Sequence, residues 1–95
     1  MIQVDIYTAR YCPYCTAAKG LLAKKGVKFT EIDVSGDAKG RSRMMARANG
    51  RMTVPQILIG SVHVGGCEDL YELDRTGKLD EMLGDEAGRE QDKSA

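Results

Sequence analysis

The chain has 95 residues, 42% hydrophobic and 29% charged, with 14 Lys and Arg balancing 14 Asp and Glu for a formal net charge of zero. That length fits one domain, the balance excludes the basic excess of a nucleic-acid-coating protein, and no apolar run reaches the roughly 20 residues that span a bilayer. The N-terminus has no charged leader with a long apolar stretch, so the expected setting is the cytosol, where thiols stay reduced.

Ile2, Val4 and Ile6 alternate with Gln3, Asp5 and Tyr7, the period-2 pattern of a first strand. Thr8 to Tyr11 forms a loop, and Pro13 marks the first position of a helix running to about Lys25, with Gly26 as its stop. The β-branched and aromatic content of Val27 to Val34 predicts a second strand. A second helix is expected from about Asp37 to Asn49, burying Met44, Met45 and Ala48, with Asn49-Gly50 as its stop.

Gln56 to Ile59 and Val62 to Val64 form a hairpin across Gly60-Ser61, and Gly65-Gly66 breaks the sheet. A third helix spans about Cys67 to Asp74; Thr76-Gly77 interrupts it, and a last turn holds Leu79, Met82 and Leu83. The order β-α-β-α-β-β-α predicts an α/β domain over residues 1–83, a four-stranded mixed sheet with flanking helices. Its first two strands are parallel and its last two antiparallel. Residues 84–95 lack large apolar side chains and are expected to be disordered.

Neutrality is an average. Residues 10–51 carry ten basic groups against three acidic ones, and residues 52–83 carry six acidic groups against two basic ones. A cleft between these regions would offer both signs of charge to a zwitterionic ligand.

The chemistry concentrates in Cys12-Pro13-Tyr14-Cys15, a C-x-x-C at the junction of a strand and a helix in a βαβ unit. Cys12 falls at the N-cap, where unpaired N–H groups and the helix dipole stabilise the thiolate that attacks disulfides. Cys15 follows one turn later, placed to close a disulfide with Cys12. Zinc is the competing use of C-x-x-C, but only Cys67 and the single His63 remain to complete four ligands, and the redox reading is favoured. Cys67 is read as non-catalytic; its helix-start position would favour the thiolate, leaving glutathionylation or oxidative dimer formation open. His63 reads as a sheet residue rather than a base.

With these blocks together, Ile6-Tyr7-Thr8, CPYCTAAK, Gly50 to Ile59 (GRMTVPQILI) and His63 to Asp74 (HVGGCEDLYELD), the sequence resembles the bacterial dithiol glutaredoxins over residues 1–83. The resemblance implies a thioredoxin-like fold with a cis Val54-Pro55 bond facing the CPYC turn. It implies glutathione-dependent reduction of protein disulfides and of protein–glutathione mixed disulfides, with Cys12 attacking and Cys15 or a second glutathione resolving. Glutathione is then the reductant and no metal is expected. The implied glutathione-binding residues are Arg10, Tyr14, Thr53, Val54, Pro55, Gly66, Cys67, Glu68 and Asp69. Backbone amides of Cys67 and Glu68 would meet the γ-glutamyl carboxylate, and the side chain of Glu68 or Asp69 the ammonium.

Two departures from the family pattern bear on these roles. Many relatives have Asp where this chain has Glu68, and a basic residue where it has Ala9. Arg10 then becomes the first candidate cation for the glycyl carboxylate, with Arg51, Arg43 and Arg47 behind it. The implied partners are disulfide-bearing or glutathionylated proteins such as ribonucleotide reductase, met by a monomer without nucleic acid or membrane. Two other readings share the fold: a hydrogen donor reduced by thioredoxin reductase, and a carrier of a glutathione-ligated iron–sulfur cluster.

Overall fold

The computed structural model describes residues 2–84, so all but the first residue of the tail expected to be disordered lies outside it. Eight elements follow in chain order: β1 (Val4–Thr8), α1 (Pro13–Lys24), β2 (Thr30–Asp33), α2 (Ala38–Arg47), β3 (Gln56–Ile59), β4 (Val62–Gly65), α3 (Cys67–Arg75) and α4 (Lys78–Met82). The sheet order is β2-β1-β3-β4, with β1 and β2 parallel and the β1–β3 and β3–β4 pairs antiparallel. This is the expected mixed sheet of a thioredoxin-like fold.

Alternation along β1 sorts side chains to two faces. Val4 and Ile6, with Ile57 and Ile59 of β3, meet Ala18, Leu21 and Leu22 of α1, Leu70 of α3 and Leu79 of α4 in the larger core. Tyr7 and Leu58 point the other way, toward Val34, just past β2, and Met44 of α2. Each fully buried Leu or Ile contributes about 1.5–3 kcal/mol relative to exposure, so the α1–α3 side carries most of the apolar stabilisation.

On the thinner side, polar contacts tie α2 down. Arg47 donates from Nη1 to the Tyr7 hydroxyl and from Nη2 to Asp5 Oδ2, both at 2.9 Å, with its guanidinium carbon 5.6 Å from the Tyr7 ring centroid.

Two strand boundaries and one burial differ from expectation, and Thr8, expected in the loop, closes β1. Strand β1 starts at Val4, because Ile2 lies beyond the paired register and leans on the Gly60 turn instead. Strand β2 is only four residues long: Val27 still belongs to the end of α1, its N–H bonding the Leu22 carbonyl, and Val27 and Phe29 pack on the core ahead of the paired segment. Met45 is only partly buried, because the face of α2 turned to the sheet follows Met44 and Ala48.

The end of α1 is fastened by Lys25, whose Nζ lies 2.6 Å from Asp74 Oδ1 and 3.0 Å from Asp80 Oδ1. These carboxylates, Asp74 most, raise its pKa above the ordinary 10.5. The stabilisation is complete below that value and is lost as pH rises past it. Replacing Lys25 with Met is expected to lower stability by about 1 kcal/mol after solvent screening, a fall of about 4–8 °C in thermal midpoint. Scanning calorimetry should find the loss smaller at high salt.

Candidate active site

Three segments converge at the end of the sheet where β1 finishes and β3 begins. Tyr11, left-handed at φ 56 and 98% exposed, turns the chain into α1 and presents Cys12 as the N-cap. Cys12 Sγ accepts the Cys15 N–H at 3.1 Å, and the Cys12 carbonyl accepts the Thr16 N–H at 3.1 Å. An amide aimed at sulfur in the first turn of a helix is the geometry that stabilises an anion there.

Across from it, Val54-Pro55 is a cis peptide, and the Cys12 thiol donates to the Val54 carbonyl at 3.8 Å. The third segment is the end of β4, where Gly65 at φ 118 still pairs with Ile57 rather than breaking the sheet as expected, and Gly66 then caps α3.

The two thiols of the CPYC turn are chemically unequal. Cys15 is 2% exposed. Burial pushes its pKa from 9.0 up to about 12, with the neighbouring Cys12 adding to the rise; the Ala9 backbone and Lys19 oppose it. Cys15 is thus held as a thiol while Cys12 sits at the rim, and no disulfide joins the three cysteines in this structure.

Cys67 departs from expectation. Its helix-start position is outweighed by burial, and next by the facing Cys12 and Glu68, so its pKa is raised rather than lowered. A thiol held protonated this way is a poorer nucleophile, which counts against it as a reactive third thiol.

Two cavities lie near Cys12: it lines one, and the other adjoins it through Val54. One, of about 290 Å³, is a groove lined by Tyr14, Arg51, Thr53, Val54, Pro55, Gly66, Cys67, Glu68 and Asp69. Eight of the nine residues expected to bind glutathione line it; Arg10 does not. Arg10 lines a second cavity of about 580 Å³, whose wall includes Cys12 itself together with Lys19, Glu31 and Asp33. Its backbone N–H bonds Ser35 Oγ at 2.7 Å, which holds the segment toward the β2 end.

In that second cavity Lys19 pairs with Glu31 at 3.0 Å, and Thr8 Oγ1 donates to the same carboxylate at 2.8 Å. Thr8 and then Lys19 hold Glu31 below the usual carboxylate range.

The cation on the groove side is Arg51, whose Nη1 lies 3.2 Å from Asp69 Oδ2. The same Asp69 oxygen accepts the Gly66 N–H at 2.8 Å, and these contacts, the Gly66 amide first, lower its pKa. Arg51 stands 18 positions before Asp69 in sequence, and no local pattern in the chain announces the pairing.

His63, half-buried on β4, has both ring nitrogens engaged, by Asn49 at 3.0 Å and by Gln56 at 2.7 Å. That occupancy leaves it no lone pair for a metal. Among the described residues no three His, Cys, Asp or Glu side chains gather as a metal site, and no helix is long and apolar enough to cross a membrane.

The glutaredoxin family model matches residues 4–64. The chain is 53% identical over 83 residues to glutaredoxin 3 of Escherichia coli K12, covering 87% of this chain and 99% of that protein. The solution structure of glutaredoxin from Brucella melitensis is similar at 58% identity and a TM-score of 0.77, covering 87% of this chain and 89% of that one. A buckwheat glutaredoxin–glutathione complex is similar at 31% identity and a TM-score of 0.78, covering 92% and 80%. With a partly exposed Cys12 at a helix N-terminus, a buried Cys15 one turn on and these relatives over most of its length, the chain belongs to the glutaredoxin family and is a glutathione-dependent thiol–disulfide oxidoreductase.

Proposed function

We propose that the groove beside Cys12 holds glutathione as a mixed disulfide and that the protein reduces glutathionylated proteins and protein disulfides through it. The observation that carries this reading is the groove itself: at about 290 Å³ it is near the lower end for ligand pockets, it opens beside Cys12, and it offers both signs of charge. The buckwheat relative solved with glutathione supports it.

The donors and acceptors suit an extended tripeptide. Val54 supplies backbone for pairing with the cysteinyl residue in the manner of an added strand. The amides of Cys67 and Glu68 at the start of α3 suit the γ-glutamyl carboxylate, and Glu68 or Asp69 the ammonium. Tyr14 and Pro55 wall the sides. We assign a carboxylate of the tripeptide to Arg51 ahead of Arg10, because Arg51 lines this groove and Arg10 the other cavity.

In the monothiol reaction, Cys12 thiolate attacks the glutathione sulfur of a mixed disulfide. A new S–S bond forms at Cys12, and the protein thiolate leaves. A second glutathione thiolate then attacks the bound glutathione sulfur, producing glutathione disulfide and restoring Cys12. With a protein disulfide, Cys12 forms a mixed disulfide with one substrate sulfur. Cys15 loses its proton and attacks Cys12 Sγ, expelling the substrate thiolate and leaving Cys12–Cys15 oxidised until two glutathiones reduce it. We place this chemistry in the cytosol, carried out by a monomer on partners such as ribonucleotide reductase.

Replacing Arg51 with Ala is expected to raise KM for a glutathionylated peptide about fivefold, a partly screened charge contact being worth about 1 kcal/mol. Arg10→Ala should stay within about twofold, as surface substitutions usually do. Steady-state kinetics of the two variants side by side make the test, and the opposite order would return the carboxylate to Arg10.

A further inference from the structure

The loop Met52 to Pro55 has no regular secondary structure, yet it carries the backbone that faces Cys12. Three successive carbonyls in it are held by side chains: Met52 by Arg41, Thr53 by Gln56 and Val54 by Cys12. Only the Thr53 anchor comes from the interior. Gln56 is 0% exposed, and its Nε2 spends one hydrogen on the Thr53 carbonyl at 2.9 Å and the other on Thr53 Oγ1 at 3.2 Å.

That bonding determines the rest of the chain of contacts. A carbonyl only accepts, so Gln56 must present Nε2 to Thr53 and Oε1 to His63. His63 Nε2 then carries a proton and donates to Oε1 at 2.7 Å. Its Nδ1 is left as an acceptor for Asn49 Nδ2 at 3.0 Å, which assigns the neutral Nε2–H tautomer. With Asn49 standing just past the end of α2 at φ 55, the series runs from α2 through β4 and β3 into the loop.

We propose that His63 is a positioning residue for glutathione: by fixing the amide of Gln56 it holds Thr53, and with it the Val54 backbone, at the height from which a peptide-like ligand is gripped beside Cys12. The proposal rests on the groove being the glutathione site. It concerns recognition of the tripeptide and leaves thiol chemistry to Cys12. Without the imidazole, the buried Gln56 oxygen loses its donor, and rotation of the amide to find another would turn an oxygen toward the Thr53 carbonyl.

Acid acts on the same link. A proton on Nδ1 would face the N–H of Asn49. Burial, and then Arg51, favour the neutral ring and lower its pKa below the ordinary 6.5, against the opposing pull of Asp69. Those two charges are the ones that face the imidazole; Asn49 and Gln56 are neutral. The neutral form is therefore kept at and somewhat below 6.5, and the arrangement is lost as pH falls further, through the lowered pKa of the folded protein.

The test compares two disulfides attacked by the same Cys12 thiolate, so that its ionisation cancels: glutathione disulfide, which carries the peptide, and hydroxyethyl disulfide, which does not. Second-order rate constants are measured by stopped flow on the reduced full-length protein. His63→Leu is expected to slow the glutathione disulfide reaction about tenfold while changing the other less than about twofold, the signature of displaced binding groups. His63→Gln, whose amide can still donate to Gln56, should restore most of the preference. The wild-type ratio should fall in acid, and that of His63→Gln should not.

Should His63→Leu fail to fold, Asn49→Gly keeps the backbone conformation and removes the donor to Nδ1. It is expected to lower the ratio in the same direction by a smaller factor. Equal loss on both disulfides, or no loss on either, overturns the positioning role. A wild-type protein without preference for glutathione disulfide overturns the reading of the groove itself, and the proposal with it.

Discussion

Replacing Cys12 with Ser is expected to abolish turnover of both substrate classes, by at least about a thousandfold, because the exchange has no other nucleophile at the helix N-terminus. Cys15 at about 12 and Cys67, also raised, are held as thiols at neutral pH, and neither replaces it. Cys15→Ser should behave differently. It should keep reduction of a glutathionylated peptide, where a second glutathione resolves the intermediate, and lose most reduction of protein disulfides. Coupled assays on the two substrates, with glutathione and its reductase, separate the steps; equal loss of both in Cys15→Ser would remove the division of labour.

The inequality of the two thiols also bears on stability. The folded protein keeps the Cys15 proton to a higher pH than the unfolded chain, whose thiol ionises near 9.0. The linked stabilisation is therefore full below that value and is lost as pH rises above it. Cys15→Ser removes this contribution, so its unfolding profile above pH 9.0 should be flatter than that of the parent.

Gly65→Ala is expected to produce the largest structural effect of any single methyl addition near the site. Gly65 adopts φ 118, a conformation that side chains strain to reach, at a cost on the order of 1–3 kcal/mol. An added Cβ would stand 2.9 Å from Arg51 Nη1 and closer still to Asp69 Oδ2. Asp69 would have to move, giving up both the Gly66 N–H and Arg51, so the start of α3 and the groove wall loosen together. The expected result is a lower thermal midpoint together with a raised KM for glutathionylated peptide. Gly77→Ala is the informative control. It shares a positive φ, at 82, but its Cβ would meet nothing within 4 Å, so it should lose stability without the change in KM.

Much of this architecture is legible in the chain because it depends on near neighbours. The alternation of Val4 and Ile6 marks a sheet face, Pro13 a helix start, and Gly60-Ser61 a hairpin turn. The short β2 is less legible, since Val27 and Phe29 have strand-like side chains but spend them on the core before pairing begins.

At the site, the CPYC turn is local and plain. The difference between Arg10 and Arg51 is not, because Arg10, although next to the CPYC turn in sequence, lines a different cavity from the groove that Arg51 lines. The Asn49–His63–Gln56–Thr53 series is the least legible of all. It joins residues from four segments around the buried amide of Gln56, and the satisfaction of a buried polar group has no period and no motif.

The pairing of Tyr7 with Gln56 across β1 and β3 gives the site a common origin. Counting outward from that pair, Cys12 lies five residues beyond Tyr7, and Val54 two residues before Gln56. The sheet thus works as a ruler whose zero mark is one ladder position, with nucleophile and docking carbonyl at set distances on its two arms. Lengthening either arm by one residue would move one partner and leave the other in place, whereas substitutions that leave the count alone preserve the spacing. In this chain the number of residues between landmarks is therefore as much a catalytic quantity as their identity.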